Sequence, residues 1–366
     1  AQEADYCSGN LIPTSMFKLF KAALAVIFPL ILTMLAAAWY LNTNLNKELP
    51  LADASEVFVL APGTGYSAMI NQLHQRDWIS NPQLLKLYGR INPAVAEIKA
   101  GEYRFEQGIS LGESLAMMRA GDVVRHQLTL LEGWTVAQVF IHLNNQSLLK
   151  QQELINDESI WELLGIAEPL SPKPEGLFFP DTYDYHLGDE PSAILLRAYK
   201  RLERVLNDEW QARDANLPYK SAYEALIMAS IIEKETGVPE ERAEIAGVFV
   251  RRLRLGMRLQ TDPTVIYGLG TSFDGNLRGS HLRDDGNIYN TYRQVGLPPT
   301  PIALAGREAI HAALHPAEGD AIFFVAKGDG THAFSATLKE HEAAVRHYQL
   351  NRRKANYRSA PPAPEK

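Results

Sequence analysis

The chain has 366 residues, 46% of them hydrophobic and 22% charged, with 36 Lys and Arg against 43 Asp and Glu for a net charge of −7. This balance excludes a mostly disordered, collagenous or low-complexity protein and argues against a general nucleic-acid binder, so nucleic acid is not an expected partner. The length allows two or three compact units, and the single cysteine, Cys7, excludes an internal disulfide, a thiolate zinc cage and an iron–sulfur cluster.

The first predicted element is the apolar run 22–41, which carries no charge and is interrupted only by Pro29 and Thr33. As a helix it spans roughly 30 Å, about one hydrocarbon core. Lys18 and Lys21 precede it, whereas Lys47 and Glu48 beyond it cancel. The positive-inside rule therefore predicts a single-pass anchor, with residues 1–21 as a cytoplasmic tail and the remainder exported. Trp39 and Tyr40 fall where an interfacial aromatic belt is expected. The competing reading is a cleaved signal peptide, for which Leu35-Ala36-Ala37-Ala38 offers the small residues.

After the anchor a short pattern occurs three times. The copies are Phe58–Gly63, Tyr103–Gly108 and Leu128–Gly133, each a short apolar run reaching a glycine. Each is followed by apolar residues at helical spacing: Tyr66, Met69, Ile70 and Leu73; Leu111, Leu115 and Met118; Val136, Val139, Phe140 and Leu143. Ser110 and Thr135 fall at the helix N-cap, and Gly65 takes that place in the first copy. This strand–glycine–cap–helix unit resembles LysM-type modules that bind N-acetylglucosamine polymers, and residues 42–146 are read as a LysM-like domain. A repeated βα unit that merely packs against its neighbour is the plainer reading. From residue 147 the pattern turns helical, then mixed, with Val265–Leu269 and Ala321–Ala326 reading as strands. The expected class is α+β: a membrane helix, LysM-like βα modules and a mixed α/β domain over residues 147–355. Residues 356–366, rich in proline, read as a disordered tail.

Ser221-Ala-Tyr-Glu224 is a capping-box sequence, and seven of the eight residues Ala225–Ile232 are apolar. A helix apolar on every face is buried. It runs into Glu233-Lys234-Glu235-Thr236, with Gly237 read as the stop. A carboxylate at the C-terminal end of a buried helix is disfavoured both by desolvation and by the helix dipole, so its pKa rises toward that of a general acid. Glu233 follows Leu226, Ala229 and Ser230 along the buried stripe, and Lys234 adjoins both acids as a possible ion-pair partner. A solvated helix end is the ordinary alternative. A second helix opens on Pro239–Glu244 and closes on Arg251, Arg252 and Arg254, a charge order that complements its own dipole.

Four further segments are dense in aromatic, amide and carboxylate groups: Glu175–Tyr183, Leu259–Tyr267, Tyr289–Pro301 and Lys327–Phe334. Asp262, before Pro263, is expected to be extended. Flat rings together with amides and carboxylates are the means by which a cleft grips sugars. His332 and His341 lack metal-ligand spacing, and no phosphate loop, dinucleotide fingerprint or Gly-x-Ser-x-Gly elbow occurs. No metal and no cofactor are expected.

The segments EGLFFPDTY (175–183), ASIIEKET (229–236), LQTDPTVIY (259–267), YNTY (289–292) with GLPPTPI (296–302), and THAFSATLKEH (331–341) occur in this order. Together they resemble the YceG-like family of endolytic murein transglycosylases, over about residues 57–353. The resemblance implies cleavage of the MurNAc–GlcNAc β-1,4 bond of nascent peptidoglycan strands, leaving 1,6-anhydro-MurNAc ends and so terminating glycan elongation. It implies peptidoglycan as partner, and its context suggests the glycan polymerases of cell-wall synthesis. The family's catalytic glutamate falls on Glu233. Asn290, Tyr292 and Gln260 are candidates to orient the sugar, and Glu175 and Glu235 to tune or position the site. Tyr183, Asp262, Tyr267, Thr291, Pro298, Phe334 and His341 complete the expected sugar-binding set. Two other functions stay open: a tethered glycan-binding scaffold without turnover, and a two-carboxylate hydrolase with Asp181 or Asp262 as second acid.

Overall fold

The computed structural model describes residues 14–154 and 156–351; Cys7 and the tail 356–366 lie outside them. The chain divides into two compact units, 1–124 and 125–366.

The first unit begins with α1 (Thr14–Leu45), a helix whose apolar side chains from Leu24 to Trp39 are exposed. Its stretch Ala23–Leu45 is long and apolar enough to cross a membrane or to serve as a signal sequence. The unit continues with β1 (Ser55–Leu60), α2 (Tyr66–Gln75), α3 (Pro82–Ile91), β2 (Gly101–Glu106) and α4 (Leu111–Ala120). The strands β1 and β2 pair antiparallel, from Ser55 opposite Glu106 to Leu60 opposite Gly101. Alternation along β1 turns Phe58 and Leu60 inward against Met69, Ile70 and Leu73 of α2 and against Tyr103 and Phe105 of β2.

The second unit contains β3 (His126–Thr129), α5 (Val136–Asn144), α6 (Ser159–Leu164), β4 (Thr182–Tyr185), α7 (Pro191–Ala212), α8 (Ala222–Glu235), α9 (Arg242–Arg254), α10 (Asp262–Leu269), α11 (Gly279–Leu282), α12 (Arg307–Leu314), β5 (Phe323–Ala326), β6 (His332–Ser335) and α13 (Leu338–Val345). The strands form two small antiparallel pairs, β3 with β4 and β5 with β6. At the centre lies α8, with Ala225 to Ile232 buried throughout and α7, α9, α10 and α12 packed around it.

All three copies of the repeat have the expected local form. Gly63, Gly108 and Gly133 have φ of 81°, 93° and 74°, the left-handed region in which a side chain is strained. Ser110 and Thr135 make full capping boxes, and Gly65 caps without a side-chain bond. The third copy nevertheless belongs to the second unit. Its strand β3 pairs with β4, placing Leu128 opposite Tyr183, so the division falls after Val124 and not after residue 146.

Three local expectations are corrected. Val265–Leu269 is the body of helix α10, not a strand. Asp262 is not extended: Thr261 takes the extended N-cap conformation, Asp262 is in the first turn where it complements the dipole, and Pro263 sits where no N–H is needed. Finally, α8 ends because Thr236 turns to φ −140°, ψ 137°, one residue before Gly237.

Candidate active site

The C-terminal end of α8 is where the site is built. Glu233 is the twelfth residue of a helix that begins with a Ser221 N-cap, whose hydroxyl accepts from the Glu224 N–H. The carboxylate of Glu224 turns back to the Lys220 N–H, so the capping box is half formed. The Glu233 side chain is only 7% exposed, and its Oε2 accepts the backbone N–H of Gly306 at 3.0 Å. Arg242, at the start of α9, approaches Oε1 to 3.8 Å, and its buried Nε has no hydrogen-bond partner.

The segment supplying Gly306 is held by two anchors, α8 and the turn of the third repeat. Ser230 Oγ accepts the Ile302 N–H at 3.0 Å, one turn before Glu233 on α8. Gly133 N–H donates to Leu304 O at 2.8 Å, and Leu304 N–H donates to Trp134 O at 2.7 Å. The turn of the third repeat therefore lies against the carboxylate. Its Glu132 occupies the space that a Cβ at Gly306 would need, so a side chain there would overlap the Glu132 carboxylate. Lys234 does not pair with either neighbouring glutamate; its Nζ donates to Gly133 O at 3.1 Å.

These neighbours decide the proton affinity of Glu233. Burial pushes its pKa up, and the like charge of Glu132 pushes it further; the Gly306 N–H, Arg242 and Lys234 pull it back. The net direction is upward, toward the protonated form.

Glu235 is two residues on and so points roughly 200° away around the helix. Its Oε2 accepts from Thr261 Oγ at 2.9 Å. Burial and the nearby Asp262 raise its pKa to about 7 against the pull of Thr261 and Arg252. Asp262 in turn accepts from Tyr292 Oη at 2.7 Å, so the structure brings Glu235, Asp262 and Tyr292 into one cluster. Gln260 is exposed beside it with a left-handed φ of 53°.

Glu175 is buried between two donors, the Val136 N–H and Tyr267 Oη, each at 3.0 Å. Burial still lifts its pKa to about 7. Tyr267 packs edge-on against Tyr289 with centroids 4.8 Å apart, and with Glu175 and Lys173 they line an open cleft.

Other expected sugar-binding residues are framework. Asn290 is fully buried; its Nδ2 reaches the carbonyls of His281, Leu282 and Asp284, and its Oδ1 accepts the Tyr292 N–H. Thr291 is buried on Thr261 and Thr264. Neither has a polar atom to spare for a sugar: Asn290 ties the 281–292 loop to itself, and Thr291 ties that loop to the start of α10. Tyr183 is in β4 with its hydroxyl given to Phe179 O, and Pro298 is buried. Phe334 packs on Phe324, and His341 stacks on Phe323 at 5.1 Å, so both belong with the β5–β6 pair. Asp181 is ion-paired to Arg201. The arginines closing α9 are staples: Arg251 donates to Ala317 O and Ala321 O, Arg252 to Leu259 O and Ile322 O, and Arg254 to Asn216 O.

Three site residues were missed by sequence reasoning: Glu132, Arg242 and Gly306. Glu132 had a usable signal, as an acid in the strand-to-cap turn of a repeat whose other copies have Pro62 and Gln107 there. Nothing local distinguishes Arg242 or Gly306.

Fold and site together define a mixed α/β protein with an N-terminal apolar helix and a shielded helix-end glutamate. The chain belongs to the YceG-like family, whose model matches residues 58–347. It is 31% identical over 307 residues to the endolytic murein transglycosylase of Bacillus subtilis (strain 168), covering 78% of this chain and 82% of that protein. It is 24% identical to the protein of the same name from Streptococcus pneumoniae serotype 2 (strain D39), covering 88% of this chain but 64% of that protein's length. A solved yceG-like protein of Listeria monocytogenes superposes with a TM-score of 0.52 at 28% identity, over 79% of this chain and 98% of that one.

Proposed function

We propose that this chain is an endolytic lytic transglycosylase that cleaves the MurNAc–GlcNAc β-1,4 bond of nascent peptidoglycan and leaves 1,6-anhydro-MurNAc ends. The observation that carries the reading is Glu233, shielded from water, held by one backbone N–H and driven toward its protonated form. The relatives named endolytic murein transglycosylases support it.

Protonated Glu233 donates to the bridging oxygen as the C1–O bond breaks. The resulting carboxylate accepts the proton of the MurNAc 6-hydroxyl as that oxygen bonds to C1. One acid serves both transfers, so the proton count closes without water. Arg242 faces the carboxylate formed between the two steps. The cluster of Glu235, Asp262 and Tyr292, with Gln260 beside it, and the cleft with Tyr267, Tyr289 and Glu175 supply polar and flat surfaces for neighbouring sugars.

The finer assignments belong to the same reading. The two strand–glycine–cap–helix copies of the first unit act as a LysM-like glycan-binding module. The helix Ala23–Leu45 anchors the chain in the inner membrane with its N-terminus cytoplasmic and its catalytic unit periplasmic. Glycan polymerases are the partners that the substrate implies.

The test is mass analysis of products from nascent, uncrosslinked glycan. Wild-type chain is expected to release anhydro-ended fragments, and Glu233→Gln to lose about 10²–10⁴-fold in rate. Normal cleavage by Glu233→Gln would refute the assignment. Glu132 beside Glu233 favours one other reading, a two-carboxylate hydrolase, and reducing ends in place of anhydro ends would establish it. Binding without any fragment release would leave a scaffold.

A further inference from the structure

A second polar cluster, on α7 and α12, takes no part in this chemistry. His311 and His315 are four residues apart and so share one helix face, with ring centroids 4.3 Å apart and planes tilted by 32°. Glu209, in the last turn of α7, faces them with a side chain only 9% exposed. One ligand-capable atom from each of the three residues lies within 4.8 Å of the other two.

The hydrogen bonds around the cluster are arranged from outside. Glu209 Oε1 takes Arg307 Nη1 at 2.6 Å, leaving Oε2 to face His311 Nδ1 at 2.9 Å. His315 Nδ1 lies 2.9 Å from Asp214 Oδ1. An ionised carboxylate only accepts, so that nitrogen carries the hydrogen and the lone pair of the neutral ring sits on Nε2. His315 Nε2 is buried and has no hydrogen-bond partner. A buried acceptor with nothing to accept is an exception that calls for an occupant. A carboxylate that fixes the tautomer of a histidine, turning its other nitrogen inward, is the usual outer support of a metal ligand.

We propose that Glu209, His311 and His315 bind one divalent transition-metal ion of the zinc class. Two imidazole nitrogens and one carboxylate oxygen are a borderline-soft set suited to it. Ligand atoms on one such ion sit about 3–4 Å apart, so the cluster closes by about an ångström, the ion replacing the His311–Glu209 hydrogen bond. His311 is 54% exposed, so the site opens to solvent for entry and for a water ligand. The ion ties α7 to α12, the helix whose N-cap N–H holds Glu233. This inference does not depend on the transglycosylase reading.

The experiment uses the full chain in detergent, stripped with chelator and titrated with Zn²⁺ and Co²⁺. One zinc ion per chain is expected, with a raised melting temperature, and cobalt should give visible bands of a four- or five-coordinate site. His315→Ala and His311→Ala should each abolish the bands and the thermal shift, and Asp214→Asn should weaken binding by about 10-fold or more. Should His315→Ala misfold, the exposed His311 and Asp214 positions still decide the matter. Absence of stoichiometric binding by wild type at micromolar free metal overturns the proposal. So does binding that His311→Ala and Asp214→Asn leave unchanged, which would put the metal on other histidines.

Discussion

Glu233 owes its character to neighbours that act in opposite directions. Burial and Glu132 favour its protonated form, and the Gly306 N–H, Arg242 and Lys234 favour the charged one. Removing the like charge with Glu132→Gln should lower the Glu233 pKa. The alkaline limb of the pH–rate profile, where the acid form is lost, should then move to lower pH. An unmoved limb would mean that Glu132 does not act on Glu233. Glu175 allows a second prediction with a definite sign. Its pKa is near 4.5 when unfolded and about 7 when folded, so the folded chain binds the extra proton between those values. Stability from this group is full below about 4.5, is lost as pH rises and reaches its minimum above 7, a change on the order of 3 kcal/mol. Glu175→Gln should flatten the fall in unfolding free energy between acid and neutral pH by about that amount, and denaturant titrations at both ends test it. Equal slopes in the two proteins would contradict it.

At the scale of elements, the site depends on α8 being immobile and on loops tied to it. Ser230 fixes Ile302, and the third-repeat turn fixes Leu304, so the Gly306 N–H is aimed by two independent anchors. The loop after α11 depends on Asn290, whose amide reaches three carbonyls. Asn290→Ala leaves those buried groups unpaired, at about 1–3 kcal/mol for a lost buried partner. The expected outcome is a lower melting temperature and a raised KM, since Tyr292 and Asp262 lose their support, with the Glu233 pH limb unchanged. A shifted pH limb at normal stability would mean that Asn290 acts on the acid after all. Gly306→Ala should cost more activity than stability, because the added methyl displaces Glu132 from beside the acid.

At the scale of the whole molecule, the first unit carries the apolar helix and the second carries the acid. The helix exposes Leu24, Phe28, Leu32, Leu35 and Trp39, a surface that water does not tolerate over such a length. Full chain should sediment with membranes and be released by detergent but not by salt. The same chain lacking 14–41 should remain in the soluble fraction. Salt release of the full chain would overturn the anchor in favour of a peripheral attachment.

The apolar run, the repeated strand–glycine–cap–helix units, the buried α8 and the place of Glu233 on it were legible from periodicity, because each depends on residues within a turn or two of one another. A helix apolar on all sides must be covered, and Glu233 follows directly on its covered stretch Ala225–Ile232. What covers it is a long-range matter. The third repeat joined the second unit because β3 found β4, more than fifty residues away, and this brought Glu132 to Glu233. Val265–Leu269 read as a strand because five apolar-leaning residues cannot separate helix from strand, and Pro263 in the first turn together with packing on α8 chose helix. Asn290 and Thr291 looked like sugar ligands by residue type, and only burial revealed that their polar atoms were already committed. Local spacing thus sets where an ionisable group sits on its element, whereas solvent exclusion and hydrogen-bond competition, which decide what that group can do, arise only when distant segments pack.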